Sequence, residues 1–294
     1  MVCIGICQSW GRPSFSVACL RDRARQATKY DRLPHGTQLA RLFHEKHKVA
    51  VQPVSHTERQ NLLIDADDTL WENNIYFEQA FESFCDFLAH SSLTPPEVRS
   101  VLDEIEIANA RVHGYGSKNF GHNLKQCYQH LAEREIRADD LARVMRFAEE
   151  ILEQPIELID GVPETLEYLA TRHDLTLFTK GDPEEQKLKV QRSGLGIYFG
   201  HTAIVKEKNA AAYRALVRDR RLAPERTWMA GNSPKSDINP ALQAGLNAVF
   251  IPHARTWTLE REELKTGPGK FVQLERFSNL RDYFALRSPD SQTP

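Results

Sequence analysis

Three carboxylates crowd one short stretch, Asp65-Ala66-Asp67-Asp68-Thr69, directly after the apolar run Leu62-Leu63-Ile64. In an extended chain residues i and i+2 face the same way, so Asp65 and Asp67 start on one side and Asp68 on the other. Two carboxylates that share a site repel, and one takes up a proton unless a cation intervenes. The pair therefore suits either acid/base work or a hard cation such as Mg²⁺; a polar turn that caps the next helix is the plainer alternative.

Three later segments carry groups that match. Leu177-Phe178-Thr179-Lys180-Gly181-Asp182 ends an apolar run in a hydroxyl, then glycine and a helix start. That suits Thr179, with Lys180 beside it, and backbone N–H groups to holding a phosphate; the ordinary alternative is a strand-end hydroxyl or cap. Val205-Lys206-Glu207-Lys208 sets two lysines between a strand and a helix, where one can neutralise a phosphate oxygen, although most such lysines are solvated. Gly231-Asn232-Ser233-Pro234-Lys235-Ser236-Asp237 leaves a strand through glycine and sets the oxygen donors Asn232 and Asp237 on one turn. There they can complete an oxygen-coordinated Mg²⁺ site, or simply cap a helix.

The elements that must position these groups alternate. Residues 62–64 read as a buried strand. From 75 to about 154 the pattern is helical: Tyr76, Phe77, Ala80, Phe81, Phe84, Phe87 and Leu88 keep helical spacing and read as core, and Thr94-Pro95-Pro96-Glu97 supplies a cap with proline in the first turn. Helices over 117–134 and 139–153 follow the loop His113-Gly114-Tyr115-Gly116. After Pro155, helices over 163–171, 183–193, 210–220 and 236–244 precede strands at 175–179, 203–205, 228–230 and 248–251. This repetition predicts an α/β fold: a Rossmann-like parallel sheet with helices on both faces and its ligand site at the carboxyl ends of the strands. The helical block reads as an insertion above that end, giving a core of 61–74 and 156–290 and an all-helical cap of 75–155.

These four segments, in this order, resemble the haloacid dehalogenase (HAD) superfamily of phosphohydrolases over roughly residues 61–255. The first is similar to that family's DxDx[TV] signature. The resemblance implies that Asp65 is the nucleophile, forming an aspartyl phosphate, and that Asp67 is the general acid/base. It implies phosphate binding by Thr179, Lys180 and Lys208, with Lys206 the runner-up to Lys208 because the interval from Lys208 to Tyr213 resembles the family's lysine-to-aromatic spacing. Mg²⁺ is the implied cofactor, held by Asp65, the Asp67 backbone carbonyl, Asn232 and Asp237. Where many members read Gly-Asp-Ser this chain reads Gly231-Asn232-Ser233; Asn232 keeps a carbonyl oxygen but removes a charge, so weaker metal binding or a larger share for Asp237 is expected. Dehalogenating members lack the acid two residues after the nucleophile, so Asp67 favours phosphoryl transfer. The helical insertion resembles the family's C1 cap, a lid that excludes water and chooses the substrate. Tyr115, Lys118, Asn119, His122 and Asn123 are its candidate substrate contacts; shaping a surface turn is the plainer role. Trp257 and Glu260 resemble a Trp-x-x-Glu element of some relatives without a physical role to assign.

The implied activity is a Mg²⁺-dependent phosphatase acting on a small phosphorylated metabolite. The alternatives are a catalytically weak phosphate-ligand or protein-binding module and a phosphomutase. Composition narrows the partners. With 38 Lys+Arg against 40 Asp+Glu the net charge is −2 over 294 residues, which gives no electrostatic reason to expect nucleic acid or a membrane surface. No apolar run approaches the roughly 20 residues of a membrane span. Cys3, Cys7 and Cys19 lie near the start, and Cys85 and Cys127 stand alone, which excludes a CxxC metal pattern and fits a reducing, cytoplasmic setting. His113, His122 and His130 lack the i, i+4 spacing of a helical zinc site. Residues 1–60 carry 10 Lys+Arg against 4 Asp+Glu and no sustained periodicity, so they are expected to fold little, as a flexible tail or, alternatively, a transit peptide. Nothing in the sequence fixes the oligomeric state.

Overall fold

A strand buried on both faces needs apolar side chains at every position, and Leu62, Leu63 and Ile64 supply them. In the computed structural model, which describes residues 58–286, Asn61–Ile64 forms β1 at the centre of a parallel sheet. The other strands are β2 (Asp174–Lys180), β3 (His201–Val205), β4 (Thr227–Gly231), β5 (Asn247–Phe250) and β6 (Phe271–Gln273), in the order β3-β2-β1-β4-β5-β6. All five pairings are parallel; Ile64 stands beside Leu177 on one side and Ala230 on the other. The chain steps outward from β1 to β2 and β3 and then returns to the far side of β1 for β4. This topological switch point opens a crevice at the carboxyl ends of β1 and β4.

Alternation along the strands divides the core in two. Leu62, Ile64, Leu175, Leu177 and Trp228 pack on one face against Val162, Leu166, Phe277 and Phe284. Leu63, Phe178 and Met229 pack on the other against Tyr213, Leu216 and Ala241. The covering helices on the core side are α5 (Val162–Ala170), α6 (Pro183–Ser193), α7 (Ala210–Arg220), α8 (Asn239–Gln243) and α9 (Leu280–Tyr283). Four further helices, α1 (Asn74–Leu88), α2 (Pro95–His113), α3 (Ser117–Leu131) and α4 (Ala138–Glu153), stand between β1 and α5. Thr94 and Glu97 form the capping box of α2, with the Thr94 N–H donating to Glu97 Oε2 at 2.8 Å. An aromatic cluster ties the block together: Phe87 stacks on Tyr128 and meets Phe147 edge-on.

The structure departs from the periodicity reading in three places. The expected helix over 236–244 is a π-turn, Pro234–Ile238, followed by the short α8, because Pro240 has no N–H and starts a new helix at its first turn. β6 and α9 carry too few residues for a periodic signal. Order also begins before residue 61: Gln60 donates its N–H to His173 Nδ1 and accepts from Trp228 Nε1, and Glu58 pairs with Arg226. The remainder of the N-terminal stretch set apart by composition lies outside the described residues.

Candidate active site

Each chemistry-bearing group sits where a strand ends. The Asp65 N–H donates to the Ala230 carbonyl, so the residue after β1 still rides on the β4 edge. Beyond it the chain turns sharply, with Asp68 in the left-handed region at φ 58°. Asp68 Oδ1 accepts from the N–H groups of Asn73 and Asn74, capping α1. Burial pushes the Asp68 carboxyl up to about 6 despite those two bonds. Of the three neighbouring acids, then, Asp68 is the one that serves the helix entering the cap.

Lys208 lies at the floor of the site, buried, with its Nζ against Asp65 Oδ1 and 2.8 Å from Asp237 Oδ1. Burial and the neighbouring Asp237 push the Asp65 carboxyl up to about 7 against the pull of Lys208. For Lys208 itself burial works downward, yet Asp237 and Asp65 hold the ammonium above its ordinary value. Lys206, the runner-up, is exposed and does not line the cavity. Thr69 Oγ1 donates within reach of both Asp65 Oδ2 (3.2 Å) and Asn232 Oδ1 (3.3 Å). Asn232 Nδ2 donates to Thr256 Oγ1 at 3.0 Å, which turns its carbonyl oxygen toward Asp65. Asp237 is fixed by the Ser233 N–H, and Tyr213 Oη donates to the Ser236 carbonyl beside it. A Cβ on Gly231 would fall 2.2 Å from Asp237 Oδ2, so only glycine lets β4 pass this close.

Asp65 and Asn232 share Thr69, and Asp65 and Asp237 share Lys208, so two carboxyl groups and an amide oxygen gather in one part of the site, oxygen donors of the kind a hard divalent cation takes. One lysine stands against two carboxyl groups, and burial with Asp237 already raises Asp65; a divalent ion would offset both effects. A second group, Asp68, Glu72 and His253, also brings three ligand-type atoms within 4.8 Å of one another. There Asp68 is occupied by its two N–H donors and Glu72 lies 3.5 Å from Arg255 Nη1, so that group is a cap and an ion-pair cluster.

Asp67 also lines the cavity. Its carboxylate accepts from Trp71 Nε1 (2.8 Å), Gln186 Nε2 (2.9 Å) and Lys189 Nζ (3.0 Å). Gln186 also accepts from Thr179 Oγ1 at 3.4 Å, linking the strand-end hydroxyl to Asp67. The sequence reading missed Gln186 and Lys189; with Glu185 they are the buried positions of α6, all polar. A helix that buries polar groups does so because something polar faces them.

Lys180 lines the cavity, but its charge is already matched. Its Nζ lies 2.6 Å from Glu260 Oε1, donates to Ser236 Oγ at 2.8 Å, and sits 4.1 Å from the centre of the Tyr115 ring. Glu260 also accepts from Ser233 Oγ at 2.6 Å. Burial works to raise the Glu260 carboxyl, and Lys180 overcomes it and holds the group below its ordinary value. The Trp-x-x-Glu element therefore has a physical role: Glu260 fastens the end of β2 to the loop after β4, while Trp257 meets Tyr115 edge-on.

A cavity of about 150 Å³ runs from Asp65 up into the helical block. Of the candidate cap residues, Tyr115, Asn119 and Asn123 line it, whereas Lys118 and His122 are exposed and do not. Tyr115 Oη donates to Glu207 Oε2 at 2.7 Å. Glu185 accepts from Ser117 N–H, Ser117 Oγ and Lys118 N–H, capping α3 from the core. Cap and core are joined by these bonds around the cavity.

The fold is shared with solved proteins. A solved haloacid dehalogenase-like family hydrolase from Xanthomonas campestris is 29% identical with a TM-score of 0.66, over 75% of this chain and 88% of that one. A predicted phosphoglycolate phosphatase from Haemophilus somnus (16% identity, TM-score 0.53, 76% of this chain and 97% of that one) shares the fold. So does a 2-haloacid dehalogenase from Pseudomonas syringae pv. tomato (20%, 0.50, 76% and 97%). No curated protein matches. Residues 60–245, which include every strand-end group described above, match the family of haloacid dehalogenase-like hydrolases, and the chain belongs to it.

Proposed function

We propose that this hydrolase is a Mg²⁺-dependent phosphatase that cleaves a small phosphorylated metabolite through an aspartyl phosphate on Asp65. The observation that carries the reading is the second acid: Asp67 opens on the same cavity as Asp65, two residues on, with its carboxylate held by Lys189, Gln186 and Trp71. Carbon–halogen cleavage needs no proton for its leaving group, whereas an alkoxide leaving from phosphorus does.

An Asp65 oxygen attacks phosphorus and the ester P–O bond breaks, while Asp67 gives its proton to the departing oxygen. Asp67 then takes a proton from water as that water's oxygen attacks phosphorus, releasing inorganic phosphate and restoring Asp65. Thr179 Oγ1, Lys208 Nζ and the N–H groups after β2 bind and orient the phosphoryl oxygens. Asp65, Asn232, Asp237 and the Asp67 carbonyl would hold Mg²⁺, whose chemistry is to offset charge so that an anionic carboxylate and an anionic phosphate can approach. Free Cys85 and Cys127 support a cytoplasmic setting, and no described helix is long and apolar enough to cross a membrane.

Phosphate release from p-nitrophenyl phosphate, with Mg²⁺ and after chelation, tests the proposal. We expect Mg²⁺-dependent release that falls at least about a thousandfold in Asp65→Asn. Unchanged release in that variant, or chloride release from a haloacid without phosphate release, would refute it.

A further inference from the structure

Resting on the phosphatase reading, we infer that Lys189 and Gln186 are positioning residues for the acid/base: Lys189 anchors the Asp67 carboxylate at the cavity, and Gln186 is the donor that lets go when phosphate enters. A carboxylate has about four acceptor sites. Asp67 Oδ1 takes Trp71 Nε1 at 2.8 Å and Lys189 Nζ at 3.0 Å; Oδ2 takes Gln186 Nε2 at 2.9 Å and Lys189 Nζ at 3.1 Å. These donors fill the group, so proton transfer needs one of them to leave.

Lys189 is not that donor. Its ammonium carries three N–H groups, and the two Asp67 oxygens and Asn73 Oδ1 at 2.7 Å use them. The side chain is only 10% exposed, and withdrawing it would strand a buried charge. Trp71 is locked in the core on one face of the sheet. Gln186 remains. Its Oε1 accepts from Thr179 Oγ1 at a long 3.4 Å, and Thr179 is the hydroxyl that turns to a phosphoryl oxygen in this reading. A phosphate that takes this hydroxyl frees the amide, and Asp67 Oδ2 gains the site it needs to pass a proton. That proton goes to the departing ester oxygen, and its replacement comes from the attacking water; Lys189 gives up none. The sequence builds the pair locally. Gln186 and Lys189 stand three residues apart and share a face of α6, and the Asp182 side chain fixes the start of that helix by accepting from the N–H groups of Glu184 and Glu185. Gly181, at φ 146°, leaves room for the amide, since a Cβ there would fall 2.9 Å from Gln186 Nε2.

The test compares phenyl phosphate with p-nitrophenyl phosphate, alike in shape, of which the first depends far more on a proton for its leaving oxygen. In Lys189→Met with Mg²⁺ we expect kcat on phenyl phosphate to fall about a hundredfold with KM little changed, and kcat on p-nitrophenyl phosphate to fall much less. In the Asp67→Asn background, which has no proton to give, the same substitution should cost less than about twofold more. Lys189→Gln, which removes the charge and keeps a polar group, gives the same readout if the Met variant does not fold. Gln186→Leu deletes a donor that departs in any case, so its loss on phenyl phosphate should be smaller than that of Lys189→Met. Equal losses on the two substrates, an undiminished loss in the Asp67→Asn background, or a larger loss from Gln186→Leu than from Lys189→Met overturns this inference and leaves the phosphatase standing. Wild-type turnover of p-nitrophenyl phosphate without phenyl phosphate overturns it too, since no proton is then delivered for Lys189 to aim. No phosphate release from either substrate removes the phosphatase reading and this inference together.

Discussion

At the floor of the cavity Lys208 sits between Asp65 and Asp237; on the cap wall Arg99 sits among Asp103, Glu106 and Glu78. Both regions gather acids around a single base, but they are built differently. The floor groups leave the ends of three different strands, so the sheet fixes them, and the Lys208 and Asp237 side chains are each 1% exposed. The wall groups lie along one helix at i, i+4 and i+7, with Glu78 from its neighbour. The floor lacks one positive charge and opens on oxygen donors, which suits it to a divalent ion and a phosphate. On the wall burial holds Glu106 toward its neutral form, and Arg99 Nη1 is left without a hydrogen-bond partner. One arrangement suits an anion with its counter-ion; the other is an ion-pair cluster within the cap.

The sharpest break in this contrast comes from Asp67. Asp67→Asn keeps shape and removes proton transfer, so kcat on an alkyl phosphate should fall about 10²- to 10⁴-fold. The loss should be smaller on p-nitrophenyl phosphate, whose leaving group needs little protonation. Equal losses on both would mean that Asp67 acts only on binding.

Removing the floor's base is the next test. Lys208→Met leaves Asp65 and Asp237 buried without a partner, and breaking a buried pair in this way costs about 3–5 kcal/mol. Denaturant unfolding without Mg²⁺ measures it. A loss below about 1 kcal/mol, the range of exposed pairs, would show that water reaches the floor despite its burial.

What could be read beforehand differs between the two regions in the same sense. A strand that stops in an acid declares both its element and its functional end, so Asp65, Thr179, Lys208 and Asp237 could be singled out before any coordinates. A cap helix declares only which face is buried, not which part of that face borders a cavity. Asn119 and Asn123 line the cavity while Lys118 and His122, one position earlier in each case, face solvent; a step of one residue turns a helix by about 100°. Phe77 and Glu106 were hidden for the same reason. Lys189 and Gln186 were hidden because a polar residue on a helix is usually solvated.

A smaller effect separates the wall through pH. The Glu106 carboxyl rises to about 7 in the folded protein from an ordinary value of 4.5 because burial outweighs Arg99, with Asp103 and Glu78 adding to the rise. The folded state therefore holds that proton more tightly than the unfolded chain, and stability falls as pH rises from about 4.5 through 7. Melting temperatures at pH 5 and pH 8 should fall less in Glu106→Gln than in the wild type; equal falls would remove Glu106 as a contributor. Smallest of all, Tyr115→Phe deletes the hydrogen bond to Glu207 and leaves the ring over Lys180. About 1 kcal/mol of cap closure should be lost, read as a few-fold rise in KM with little change in kcat; an unchanged KM would mean that this bond does not hold the cap.

The claim beneath all of this is that phosphorus bonds to Asp65. A crystal structure of the full chain with Mg²⁺ and beryllofluoride tests it most directly. The account predicts beryllium bonded to an Asp65 carboxylate oxygen, the ion between Asp65, Asn232 and Asp237, and Thr179 and Lys208 on the fluorides. Beryllofluoride bound elsewhere, or Asp65 turned away from it, would contradict the account.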